Sequence, residues 1–168
     1  MQRYRILLAN EDDAHDMTIV LNDSWNYAYK GIIPDEVIFE QNATRYHRLY
    51  QTLEDDNDSY YIVRDKSTPV GVFCIGPSTD KDTNRHTYEV VVMYIHPLYM
   101  RQGIGTMLMD YIVTKAKKLR MKTIKVWVLS KNLNAIEFYK KNGFVADGKT
   151  KYRNYGNELK LQRMERLI

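Results

Sequence analysis

An α/β fold, with a mixed, mostly antiparallel sheet flanked by helices on both faces, is predicted by three observations on this sequence. Short β-branched and aromatic runs, among them Tyr60–Val63, Val70–Ile75 and Thr123–Leu129, alternate with stretches of helical period, and such interleaving favours helices packed on a sheet. The runs flanking Asp65-Lys-Ser-Thr-Pro69 read as a hairpin, the unit of antiparallel pairing. One long strand signal, His86–Ile95, leads through a loop with two close glycines straight into a helical pattern.

The elements follow in order. Tyr4–Ala9 reads as a first strand, and Glu11-Asp-Asp13 offers caps for a helix reaching Tyr29, with Ile19, Val20, Trp25 and Ala28 as its apolar stripe. Gly31 ends it, Pro34 suits the first turn of a short second helix, and another helix is expected over Arg45–Leu53 before the acidic turn Glu54-Asp-Asp-Asn-Asp58. After the hairpin and the polar loop Asp80–Arg85, His86–Ile95 is closed by His96-Pro97, because a residue before proline favours extended backbone. From Gly103, Ile104, Leu108, Ile112 and Leu119 recur at helical spacing, with Lys115, Lys117 and Lys118 on the exposed side. Thr123–Leu129 is a strand, and Asn134–Asn142 a helix that Gly143 terminates. Phe144–Val145 and Glu158–Ile168 read as a closing hairpin around Gly148–Gly156.

Composition narrows the class. A chain of 168 residues fits one domain over its whole length, with enough bulk for a real core. No apolar run approaches the ~20 residues of a membrane helix, and Met-Gln-Arg-Tyr-Arg carries no signal-peptide apolar segment, so the expected address is cytoplasmic, without a membrane partner. Cys74 is the sole cysteine, which excludes an internal disulfide, and inside an apolar run it reads as a small buried hydrophobe. His15, His47, His86 and His96 show no ligand spacing, so no metal is expected. Charge is uneven: residues 1–60 carry 12 acidic and 5 basic side chains, residues 61–168 carry 9 and 20. A basic half suits an anionic cofactor and an acidic half a cationic substrate, although solvated faces can differ in sign without function. No nucleic-acid-binding module accompanies the basic half, and no nucleic acid is expected.

The segment Ile95-His-Pro-Leu-Tyr-Met-Arg-Gln-Gly-Ile-Gly-Thr-Met-Leu108 carries the most information. Glycine lets the chain turn tightly and brings amides close to a ligand. A helix beginning there presents unpaired N–H groups and partial positive charge, a ready phosphate site. The same glycines could serve strand–turn–helix geometry alone.

A second motif follows in the expected order: Asn132-x-x-Ala135-x-x-x-Tyr139-x-x-x-Gly143-Phe144. Over roughly Tyr88–Phe144 the combination resembles the GNAT superfamily of acyl-CoA N-acetyltransferases, and Ser24-Trp25…Tyr29-Lys-Gly-Ile-Ile-Pro34 is similar to the front of its members. The resemblance implies acetyl-CoA as cosubstrate, its pyrophosphate against the backbone of Arg101, Gln102, Gly103, Ile104, Gly105 and Thr106. It places the pantetheine arm along Met93, Tyr94 and Ile95 at the end of the fourth strand, with Asn132 touching that arm. Met100 departs from the family's Gln or Arg, which weakens a side-chain contact but leaves the amides intact.

Acetyl transfer to an amine needs a neutral amine, a polarised thioester carbonyl and a proton for the leaving thiolate. An amine with a pKa near ~10.4 is mostly protonated at neutral pH, so a base or a water chain must act. An amide at the end of the fourth strand could hold the developing oxyanion. The resemblance implies Tyr139 as general acid. Some members carry a catalytic glutamate where this chain has Glu89; others use the position held here by Trp127. An apolar setting would raise the Glu89 pKa toward neutrality, as a base requires. Trp25 and Tyr29 are expected to wall the acceptor, a small-molecule or peptide amine. The alternative function is a non-catalytic acyl-CoA-binding module of the same fold, and a homodimer through a sheet edge or the C-terminal strand is left open.

Overall fold

The computed structural model describes residues 3–55 and 59–168, so part of the acidic turn 54–58 and the first two residues lie outside the described residues. Strands β1 (Tyr4–Leu8), β2 (Tyr60–Asp65), β3 (Thr68–Pro77), β4 (Thr87–Ile95), β5 (Thr123–Leu129), β6 (Val145–Asn154) and β7 (Glu158–Leu167) follow the sheet order β1-β2-β3-β4-β5-β7-β6. Pairs β1–β2, β2–β3, β5–β7 and β6–β7 are antiparallel, and β4–β5 is parallel. Helices α1 (Ala14–Ala28), α2 (Asp35–Glu54), α3 (Ile104–Lys118) and α4 (Leu133–Lys141) flank the sheet. The mixed, mostly antiparallel α/β fold is the one expected. No helix among the described residues is long and apolar enough to cross a membrane.

The chain forms two compact units, Met1–Cys74 with Val92–Ile104, and Ile75–Val91 with Gly105–Ile168. In the first, Ala14, Met17, Val20 and Leu21 of α1 meet Leu49 and Leu53 of α2 over Ile62 and Val72. Burying each large aliphatic side chain stabilises by about 1.5–3 kcal/mol. Asn10 caps the chain's entry to α1 in a capping box with Asp13. Arg64 reaches Asp13 and Asp16 at 2.7 and 2.6 Å, pinning β2 to that helix start.

The α1 stripe differs from expectation. Val20 is buried, but Ile19 is exposed, and Ala14, Met17, Leu21 and Ser24 complete the inward face instead. The two short helices expected after Gly31 are one helix. Ile38, Arg45, Leu49 and Leu53 keep one face across it, and Asn42-Ala-Thr44 contains no residue that breaks a helix. Pro34 stands at its N-cap, with Asp35 and Glu36 favourably placed in the first turn.

In the second unit, α3 buries Leu108, Met109, Ile112 and Ala116, β5 buries Ile124, Val126 and Val128, and β7 buries Leu161 and Met164. Leu119 falls past the helix end and is exposed. The closing hairpin is longer than expected. Gly148, at φ +84°, does not turn the chain; it bulges β6, whose register shifts between Ala146 and Thr150, and the turn lies at Tyr155–Asn157.

Candidate active site

The parallel register of β4 and β5 covers Thr87–Val90 opposite Thr123–Val126 and stops, although β4 runs on to Ile95 and β5 to Leu129. Past that point the β4 backbone can be read residue by residue. The His96 amide donates to the Val70 carbonyl at 2.9 Å, while the Ile95 carbonyl accepts from Ser24 Oγ at 3.2 Å. Main-chain groups alternate between the two edges of a strand. The His96 amide therefore faces β3, and the amides of Met93 and Ile95 face the opposite edge. Gly71 permits the close approach on the β3 side: a Cβ there would stand 3.3 Å from the Tyr94 carbonyl oxygen.

The chain then makes a 3-10 turn, Pro97–Tyr99, and enters the loop. Arg101 has φ +59° and Gly103 φ +82°. Two left-handed residues in three curl successive amides toward one concave side, the arrangement that binds anions, and α3 starts at once with its own unpaired amides. A left-handed arginine is uncommon. The other two such non-glycine residues among the described residues, Lys66 and Arg120, sit in a hairpin turn and just past a helix end, where the conformation is ordinary. A Cβ on Gly103 would meet nothing within 4 Å, so the space beside it is open. Ile104 is buried, so it offers a ligand its amide alone. Gln102 is also reserved: Oε1 accepts from Tyr4 Oη at 3.0 Å and Nε2 donates to the Leu98 carbonyl at 3.2 Å. Main-chain donors fit a phosphorylated ligand whatever side chain stands at Met100.

The aromatic residues expected at the acceptor come together in the first unit. Trp25 and Tyr29 meet edge to face at 4.9 Å, and the Tyr29 and Tyr94 hydroxyls are 2.7 Å apart. Arg45 lies over the Trp25 ring at 4.9 Å. Six residues before Tyr29, Asp23 Oδ2 meets His96 Nε2 at 3.0 Å; His96 Nδ1 accepts from the Leu98 amide, so Nε2 carries the proton.

In the second unit, Asn132 caps α4 by accepting from the Ala135 amide at 3.2 Å, which leaves its side-chain NH2 for another partner. Tyr139 is buried on the same helix, edge to face with Phe138 and Phe144 at 5.3 and 5.4 Å. Gly143, at φ +81°, turns the chain so that the Phe144 amide bonds the Tyr139 carbonyl.

Glu89 requires a correction. Its setting is ionic, not apolar: Oε2 lies 2.9 Å from Lys125 Nζ, its neighbour across the parallel ladder, and Lys125 is 1% exposed. Lys125 also binds Asp80, which accepts from Trp127 Nε1 at 2.9 Å and from Arg163 at 3.2 Å. Arg163 in turn holds Asp82 through two bonds of 2.8 Å and Asp147 at 2.5 Å. Burial pushes the Asp80 carboxyl up, but bonds from Lys125, Trp127 and Arg163 together hold it below its ordinary range. Arg163 brings Asp82 down to about 2. A carboxylate beside an ammonium is the reverse of the apolar setting expected for Glu89. The signal was present in the sequence: Lys125 interrupts an apolar strand that pairs beside Glu89. Among the described residues no group of three metal-ligating side chains occurs.

A parallel register that ends after four residues, followed in the chain by a left-handed loop opening a helix, belongs to an α/β protein whose loop backbone suits a phosphorylated ligand. The chain belongs to the acetyltransferase (GNAT) family, whose model matches residues 20–144. An uncharacterised N-acetyltransferase of Methanocaldococcus jannaschii is 26% identical over 145 residues, 86% of this chain and 62% of that relative's length. Two solved structures share the fold. A GCN5-related N-acetyltransferase from Rhodopseudomonas palustris has a TM-score of 0.78 at 20% identity, covering 100% of this chain and 98% of that one. The PaiA N-acetyltransferase of Thermoplasma acidophilum, in complex with coenzyme A, has 0.76 at 21%, covering 99% and 100%.

Proposed function

We propose that the chain works as one N-acetyltransferase domain, moving an acetyl group from acetyl-CoA to a primary amine by direct attack on the thioester. The loop 101–106 carries this reading: two left-handed residues and a helix start supply backbone donors for a diphosphate. Beyond Val90, where the β5 register has ended, the Met93 and Ile95 amides would receive the pantetheine arm as a neighbouring strand would. The side-chain NH2 of Asn132 would touch the same arm.

In the transfer, the amine nitrogen bonds to the acetyl carbon, the carbon–sulfur bond breaks, and the ammonium proton leaves. An amide of the β4 end would steady the oxyanion. Tyr139 would give its hydroxyl proton to the departing thiolate and recover one from solvent. Glu89, paired with Lys125, would accept the amine's proton through water. Trp25 and Tyr29 would flank the acceptor.

Calorimetry with acetyl-CoA and a thiol-release screen over amines test the proposal. Binding with release supports it; binding without release from any amine leaves a non-catalytic module of the same fold; no binding overturns both. Tyr139→Phe should lower kcat about 100-fold or more, while the Kd for acetyl-CoA stays within about twofold. Near-normal turnover would remove Tyr139 from the mechanism.

A further inference from the structure

Arg45 stands out as a cation without a counter-charge among the described residues. It is 7% exposed and lies on the inward face of α2 with Ile38, Leu49 and Leu53. Its only hydrogen bonds among the described residues leave from Nη1, to the neutral side-chain oxygens of Asn22 and Asn42, the latter at 2.6 Å. The Trp25 face covers the guanidinium. None of the described carboxylates forms an ion pair with it, although residues 1–60 are rich in Asp and Glu. Burial lowers its pKa to about 10, the Tyr94 and Tyr29 hydroxyls oppose that fall, and the nearby Arg48 adds to it.

The fork has a second edge, Nε with Nη2, and no acceptor among the described residues meets it. Among the described residues the one fully buried side-chain nitrogen or oxygen without a partner is Ser130 Oγ. The Nε–Nη2 edge therefore still reaches solvent. Two parallel N–H donors on that edge match the two oxygens of a carboxylate, and arginine is the side chain for such bidentate recognition. A buried charge without a partner is costly, and an arriving anion relieves that cost.

We propose that Arg45 binds a carboxylate carried by the acceptor, so that the substrate class is an amino acid or another amine bearing a carboxylate, not a simple polyamine. This rests on the acetyltransferase reading for the identity of the ligand, and on the geometry of Arg45 alone for the anion site. Asn22 and Asn42 hold the inner nitrogen, Trp25 fixes the guanidinium plane, and the outer edge selects the anion. The Trp25–Tyr29–Tyr94 group lies against this cation, which places carboxylate recognition on the acceptor side already assigned to Trp25 and Tyr29.

Matched probes test it: glycine, β-alanine, 4-aminobutyrate and 5-aminopentanoate against their carboxamides. Binding is followed by calorimetry and by Trp25 fluorescence in a Trp127→Phe background, and turnover by thiol release with acetyl-CoA. At least one acid should bind tenfold or more tightly than its amide and show a correspondingly higher kcat/KM. Arg45→Gln should erase that difference without changing the Kd for acetyl-CoA, and Arg45→Lys, which keeps the charge but loses the fork, should restore part of it. Equal binding of acids and amides, no binding of any acid, or discrimination surviving in Arg45→Gln would overturn the proposal. The wild-type comparison decides the matter even if both variants fold poorly. Acetyl-CoA binding without acid preference sinks this inference alone; acid preference without acetyl-CoA binding sinks the acetyltransferase reading and leaves the anion site standing.

Discussion

Arg45 and Arg163 are buried to nearly the same extent, 7% and 6% exposed, yet their partners differ in kind. Arg163 is surrounded by Asp80, Asp82 and Asp147, and together they join the loop after β3 to β6 and β7. Arg45 has two asparagine oxygens and an indole face. Charge compensation raises the pKa of Arg163, with the Asp82 bonds as the largest cause, whereas burial brings that of Arg45 down. A cation whose charge the fold itself neutralises is scaffold. One left with neutral partners and an open edge is arranged for something outside the fold.

The comparison is broken most forcefully at Arg163. Removing one partner of a buried ionic group leaves the others uncompensated, so Arg163→Ala should cost about 3–5 kcal/mol in urea unfolding at pH 7. A loss under about 1 kcal/mol would make the cluster a surface ornament and remove the contrast with Arg45. The same cluster gives a pH dependence of definite sign. Asp82 has its folded pKa lowered to about 2 from 3.8, and Asp80 is shifted the same way. The stabilisation is complete above the unfolded value and disappears as pH falls from about 4 to about 2. The wild-type urea midpoint should drop through that window, and the Arg163→Ala curve should be flatter there. Parallel curves would show that other carboxylates govern acid unfolding.

Much of the architecture was legible in the residues because local rules and tertiary packing agreed. Thr123–Leu129 is an apolar, β-branched run and forms β5 with those bounds. The paired glycines after His96-Pro97 mark the start of α3, and Asn132 and Gly143 frame α4. The misreadings share one cause, contacts made at a distance. Gly148 looks like a turn, but pairing with β7 carries β6 through it as a bulge. Ile19 looks like core, but α1 is rotated so that Met17, Val20, Leu21 and Ser24 face inward. The Glu89 environment could not be read from its own strand, since the ion that defines it comes from β5. Arg45 was detectable as a charge on the Ile38–Leu49–Leu53 face of one continuous helix, but not while that helix was divided in two. The left-handed Arg101 had no sequence signal, because arginine carries no preference for that conformation.

A smaller effect is expected at the neutral end of the comparison. Asn132→Ala removes the α4 cap and should cost about 1 kcal/mol, and Tyr29→Phe should cost less. The change deletes one hydroxyl from the 2.7 Å pair with Tyr94 but keeps the ring that meets Trp25 edge to face. A partly buried neutral hydrogen bond contributes about 0.5–1.5 kcal/mol, and Tyr94 Oη can turn to water once its partner is gone. The unfolding midpoint should therefore move little. Because the aromatic contact to Trp25 survives, the plane on which Arg45 rests survives too, and the acid-over-amide preference should persist within about threefold. A loss near that of Arg163→Ala would mean that the tyrosine pair, not the ion cluster, holds the fold, and the division between a compensated scaffold and an uncompensated recognition site would have to be drawn elsewhere.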